Sequence, residues 1–166
     1  AQTLQLTYVG IPMIYYGDEI GLIGDHDGND PYDRQTFNWN SSEWNYDILN
    51  NYRYLISARK NNKDAFVYGA LEEIMRNKDE HLIVYARYGK KDKAIVMIND
   101  GEDEAKKEIS LKNLDRYGFK KGDVLIDVLS GNEIKLNGTS IKIPTSGKSA
   151  SCYVLKDKFT KVKKLD

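Results

Sequence analysis

Residues 10–22 read GIPMIYYGDEIGL. An apolar, aromatic run from Ile11 to Tyr16 stops at a glycine and an acidic pair, Gly17-Asp18-Glu19. A short β-rich run bounded by Pro12 and Gly17 predicts a strand, Met13 to Tyr16, buried on both faces. Upstream, residues 1–9 (AQTLQLTYV) carry Leu4, Leu6 and Val9 at helical spacing, and Gly10 with Pro12 fits the end of that helix. Downstream, residues 17–43 have almost no periodicity and many turn formers. They predict a loop far longer than the usual connection between a strand and a helix. The helical pattern returns in SSEWNYDILNNYRYLISARKNNK. Ser41 or Ser42 is the expected N-cap, and Trp44, Ile48, Tyr52, Leu55 and Arg59 lie on one stripe.

One strand buried on both faces cannot satisfy its edges alone. Residues 1–64 therefore read as a unit of a larger sheet, and a barrel of alternating strands and helices supplies that context. In such barrels the working groups sit on the loops after the strands. Gly17-Asp18-Glu19 and the long loop lie at that end, and the loop's polarity suits a polyhydroxylated ligand.

After residue 65 the hydrophobic period becomes two. HLIVYARYG, AIVMIND, KKEISL, DVLIDVLSG, NEIKLNG, SIKIP and KSASCYVLK are short runs separated by turn signals. They predict an antiparallel sandwich of about seven or eight strands over residues 65–166, with Lys and Glu marking solvated faces. A polar linker near residues 60–66 separates the two parts, and the basic tail DKFTKVKKLD is expected to fray.

Bulk composition narrows the function classes. The chain has 166 residues, enough for one sizeable core, with 25 basic and 25 acidic side chains. A balanced charge gives no electrostatic case for nucleic acid or an anionic membrane. No apolar stretch approaches the ~20 residues of a membrane span. The single cysteine, Cys152, excludes an internal disulfide and reads as a small buried residue. Both cytosol and secretion by a bacterium fit that usage.

GIPMIYYGDEIGL, then NDPYDR, then FNW, strongly resembles the end of the α-amylase family of glycoside hydrolases. The match is closest to the branch of neopullulanases, cyclomaltodextrinases and maltogenic amylases. There G-x-P-x-I-Y-Y-G-D-E covers the eighth barrel strand, D-P-x-x-R lies on the following loop, and LISARKNNKDAFVYG resembles the passage into an all-β C-terminal domain. The resemblance covers residues 1 to about 70. It implies a mainly β fold: an antiparallel β-sandwich preceded by the last strand–loop–helix unit of a (β/α)8 barrel. Family members are retaining glycosidases that use two carboxylates, with a third acid stabilising the transition state. All three stand on strands before the eighth, which this sequence lacks. The resemblance thus implies a segment of an α-glucan hydrolase, inactive alone, with an α-glucan oligosaccharide and the preceding barrel as partners.

Within that resemblance, Asp30 and Arg34 are the substrate-binding candidates. The family's acid and arginine at these positions hydrogen-bond a glucose unit, and a carboxylate and a guanidinium each hold two hydroxyls in fixed geometry. An ion pair that only pins the loop is the other reading, and both can hold together. Asp18 and Glu19 sit where catalytic acids sit in barrels, yet the resemblance makes them structural acceptors. DHDGND (residues 25–30) looks like half a calcium loop but lacks the bidentate Glu at position twelve, where Thr36 stands. His26 has no companion His or Cys nearby, so zinc is not expected. No metal or cofactor is expected. Tyr15 reads as core, while for Tyr16 and Trp39 sugar stacking and packing stay open. The alternative for the sandwich is a stand-alone carbohydrate-binding or purely structural module. Binding would need an exposed aromatic pair; Tyr85 and Tyr88 are candidates on opposite faces. Self-association into a homo-oligomer is left open.

Overall fold

The computed structural model describes residues 1–24, 34–103 and 107–166. Helix α1 (Gln2–Thr7) and helix α2 (Tyr46–Asn61) flank the loop region, and a short helix α3 (Lys63–Phe66) follows. The strands are β1 (Ala70–Asn77), β2 (Leu82–Tyr88), β3 (Lys93–Asn99), β4 (Lys107–Leu111), β5 (Val124–Asp127), β6 (Glu133–Lys135), β7 (Ile141–Thr145) and β8 (Ser149–Leu155). They form a six-stranded sheet in the order β1-β2-β3-β8-β5-β6 and a two-stranded sheet of β4 and β7. Every pairing is antiparallel.

Two cores share the large sheet. Val84, Ala86, Ile95, Met97, Leu125 and Tyr153 point to one face and meet Leu111, Ile141 and Ile143 of the small sheet. Tyr85, Ala94, Val96, Ile126, Cys152 and Val154 point to the other and meet Leu6, Tyr52, Leu55, Ala58 and Phe66 from the helices. The alternation expected of a strand is therefore present in β2, β3 and β8, but both faces are apolar because helices cover the outer one. Only a strand such as β7 shows the simple pattern, with Ile141, Ile143 and Thr145 buried and Lys142 and Pro144 exposed. Pro144 is tolerated there because a two-stranded sheet leaves free edges.

Several local expectations change. The strand β1, ALEEIMRN, is rich in helix formers, and a bulge between Glu73 and Met75 interrupts its alternation. Its pairing with β2 overrides the propensity. Helix α2 begins later than expected: Asn45 is the cap, its Oδ1 accepting from the Ile48 amide at 3.1 Å. Asn40 caps a separate 3-10 turn over Ser41–Glu43. The tail does not fray but docks on α2. Asn50 exchanges two hydrogen bonds with the Leu165 backbone, both 2.9 Å, and Arg53 donates to the Lys163 carbonyl at 2.8 Å.

The junction at residues 60–66 is not a loose linker. Asn62, Ala65 and Phe66 are fully buried, and Asp64 locks α3 to the β2–β3 turn. Its Oδ2 accepts from the amides of Lys91 (2.5 Å) and Asp92 (3.2 Å), while the Asp64 amide donates to Asp92 Oδ2 at 3.1 Å. Gly89 is required for this approach, since a Cβ there would lie 2.3 Å from the Asp64 carbonyl oxygen. The amides of Lys91 and then Asp92 hold the Asp64 carboxyl below its ordinary value of 3.8. A group whose folded pKa is depressed stabilises the fold above its unfolded pKa, and loses that effect as pH falls through the folded value. We expect the urea midpoint of Asp64→Asn to lie below that of the wild type at pH 7 and the gap to narrow by pH 3. A gap of constant size would show that the carboxylate charge is not involved.

The segment from Ile11 to Tyr15 joins neither sheet. Ile11 is 98% exposed and Met13 76%. The expected strand Met13 to Tyr16 needs ladder partners on both edges, and among the described residues no strand stands beside it to provide them.

Candidate functional site: the loop after residue 16

Gly17, with φ of 95°, opens a 3-10 turn over Asp18–Ile20. A side chain at Gly17 would meet Leu22 at 2.6 Å. Glu19 folds back so that its Oε2 accepts from the Gly17 amide at 2.9 Å, and the Ile20 carbonyl accepts from the Asn45 amide at 2.9 Å. The turn is thereby stitched to the start of α2. Glu19 does the structural work expected of it, in its own turn rather than on a neighbouring loop, and Asp18 is exposed. The hydroxyl of Tyr52 donates to Gln5 Oε1 at 2.9 Å. Burial pushes its pKa up, and the negative charges of Asp18 and Glu19 add to that.

The two described limbs of the loop are tied across. Tyr16 donates its hydroxyl proton to the Gln35 carbonyl at 2.9 Å, and the Gln35 amide donates to the Ile23 carbonyl. Arg34 stands beside this tie with its side chain exposed. Asp30, like the whole DHDGND stretch and His26, lies outside the described residues. Among the described residues no cluster of three or more potential metal ligands occurs.

Beyond Arg34 the chain forms a braced aromatic turn. Glu43 accepts from Asn38 Nδ2 at 2.7 Å and from Asn40 Nδ2 at 2.6 Å. Trp44 Nε1 donates to the Asn38 carbonyl at 2.8 Å. Phe37 lies against Trp39 with ring centroids 4.6 Å apart, and Trp39 is 79% exposed. Tyr15 is not core: its ring lies 4.7 Å from that of Tyr16, and both are 41% exposed. Tyr16 is tied to Gln35, the residue after Arg34, and Trp39 follows on the same limb, so exposed planar and charged groups stand on both described limbs of the loop.

The aromatic pair considered on the sandwich does not exist as a binding face. Tyr85 is fully buried, with its hydroxyl 2.6 Å from Thr7 Oγ1 and its pKa pushed up to about 12 by burial. Tyr88 packs on Tyr117 at 5.3 Å. Cys152 is buried as expected, and burial pushes its thiol pKa up.

Comparison with known proteins decides the kinship. No family model matches the chain. Over 159 residues it is 32% identical to a cyclomaltodextrinase of Thermoanaerobacter pseudethanolicus, an alignment covering 94% of this chain and 24% of that protein. The chain is homologous to the α-amylase-family enzymes. A maltogenic α-amylase of Bacillus acidopullulyticus is 32% identical over 108 residues, 64% of this chain and 18% of its own. The solved α-amylase of Anoxybacillus shares the fold with a TM-score of 0.75 at 22% identity, over 92% of this chain and 30% of its own. This amylase-family homologue thus spans a quarter or less of the length of the curated relatives it matches.

The resemblance drawn from GIPMIYYGDEIGL, NDPYDR and FNW agrees with this kinship. Missed from sequence were Arg87 and Arg59, which grip the end of α1. An arginine near the end of the otherwise apolar run LIVYARY was the available signal for the first.

Proposed function

We propose that this chain is the C-terminal segment of a retaining α-glucan hydrolase. Residues 1–64 form the end of its (β/α)8 barrel, with the eighth strand, long loop and last helix, and residues 65–166 its all-β C-terminal domain. The segment contributes a substrate-binding loop, carrying Asp30 and Arg34, and a stabilising β domain. It does not contribute the catalytic carboxylates. The observation that carries this reading is the alignment of nearly the whole chain with only about a quarter of a cyclomaltodextrinase. Its partners are an α-glucan oligosaccharide and the barrel units that precede it. The exposed Ile11 and Met13 support the second, since neighbouring strands would cover them.

The burial of Tyr85 favours a structural role for the sandwich over a stand-alone sugar-binding one.

The test has two arms. The chain alone should release no reducing ends from maltotriose or pullulan above a blank. Joined behind the preceding part of the Thermoanaerobacter cyclomaltodextrinase, it should restore hydrolysis of cyclomaltodextrin. Turnover by the isolated chain, or a folded chimera with no activity, would sink the proposal.

A further inference from the structure

We propose that Arg87, from β2 of the β domain, and Arg59, from α2, act together as a clamp on the end of α1 and so set the path of the chain into the loop after residue 16. This rests on reading that loop as the sugar-binding loop.

Helix α1 has six residues, too few to be stable alone. Its last carbonyls have no partner within the helix. Arg59, from α2, donates to the carbonyls of Leu6 at 2.9 Å, Gly10 at 2.6 Å and, more weakly, Tyr8 at 3.5 Å. Arg87, from β2, donates to the Thr7 carbonyl at 2.6 Å. The remaining donors of Arg87 go to Ala65, Phe66, Gly69 and Ala70, all backbone carbonyls. Neither arginine makes a carboxylate ion pair among the described residues. Burial lowers the pKa of both, and the charge of Arg59 lowers that of Arg87 further. Two like charges brought together without an acid are tolerated only while carbonyl dipoles face them, and a helix C-terminus is such a place.

The clamp fixes one chain path. Gly10 turns the chain at φ of 104°, and Gln5 Nε2 then holds the Met13 carbonyl at 2.5 Å. The Gly17 turn follows, and the Tyr16–Gln35 tie ends beside Arg34. Arg59 and Arg87 are positioning residues: they touch the backbone that leads to the loop, not the ligand surface.

The test is backbone order parameters of the full chain from NMR relaxation, read without sugar. In the wild type, Tyr8 to Met13 should have values near 0.85, the rigid-backbone range. In Arg59→Gln they should fall below about 0.6, while β2, β3 and β8 are unchanged. Arg59→Lys should recover part of the loss, because one ammonium reaches fewer of these carbonyls at once than a planar guanidinium. Values below about 0.6 already in the wild type, no change in Arg59→Gln, or a fall across the sheet as well would each overturn the clamp. An inactive chimera would sink the glycosidase reading alone, because the order parameters do not depend on it.

Discussion

Replacing Arg87 by methionine lowers the unfolding free energy by about 3–5 kcal/mol, roughly the loss of two charge-assisted hydrogen bonds. Arg87 is 1% exposed. Its guanidinium is the common donor for Thr7 at the end of α1, Ala65 and Phe66 at the end of α3, and Gly69 and Ala70 at the entry to β1. A hydrogen bond to a charged group contributes roughly 1.5–3 kcal/mol, and each buried carbonyl left unpaired costs about 1–3 kcal/mol. The sum overshoots because one side chain cannot serve all these acceptors at full strength, so the smaller range is used. Methionine keeps much of the aliphatic volume, which removes cavity formation as the cause. For a chain of this size a loss of 1 kcal/mol moves Tm by about 2–4 °C, so the midpoint should fall by roughly 6–20 °C. Arg87→Lys should lie between, since the charge remains but the fork of donors does not. Calorimetry or a urea titration of both variants decides it. A Tm of Arg87→Met within 2 °C or so of the wild type, below the shift expected for 1 kcal/mol, would show that these carbonyls find other partners.

The same residue shows how far the sequence could be read. In LIVYARY the period of two is plain, and Val84 and Ala86 do face the small sheet while Tyr85 faces the helices. What the period does not reveal is that both faces are covered, because covering depends on helices more than fifteen residues away in sequence. By convention an arginine in a strand marks water. Here it marks the place where α1, α3 and β1 bring carbonyl ends together, a property of tertiary structure that no local pattern carries. The tail was misread for the same reason: DKFTKVKKLD is polar enough to fray, and the buried amide of Asn50 together with Arg53 holds residues 163–165 in place. The motif GIPMIYYGDE reads as a strand, yet Ile11 to Tyr15 joins neither sheet and Ile11 and Met13 are exposed. Ladder hydrogen bonds need neighbouring strands, and none of the described residues stands beside this segment as one. At the candidate site, the glycine and acidic turn could be read, and Glu19 does cap its own turn. The Glu43 brace on the two residues that flank Trp39 could not, because Asn38, Asn40 and Glu43 look like ordinary loop polarity.

In an active chimera, Arg34→Ala should lower kcat/KM on maltotriose by about ten- to a hundred-fold, from the net loss of one charge-assisted hydrogen bond at roughly 1.5–3 kcal/mol. The proposal assigns Arg34 to a glucose unit away from the bond that breaks. Its side chain is exposed beside the Tyr16–Gln35 tie, so removing it opens no buried hole and should leave Tm nearly unchanged. If the contact acts on ground state and transition state alike, KM rises and kcat holds. If this remote binding energy also aligns the scissile bond, kcat falls with it. Arg34→Lys should recover only part, because an ammonium cannot hold two hydroxyls in one plane. A substrate too short to reach that glucose position, such as an aryl α-glucoside, separates binding from loop pinning. A sugar contact predicts a large loss on maltotriose and a small one on the glucoside. Equal losses on both, together with a lowered Tm, would mean that Arg34 only pins the loop.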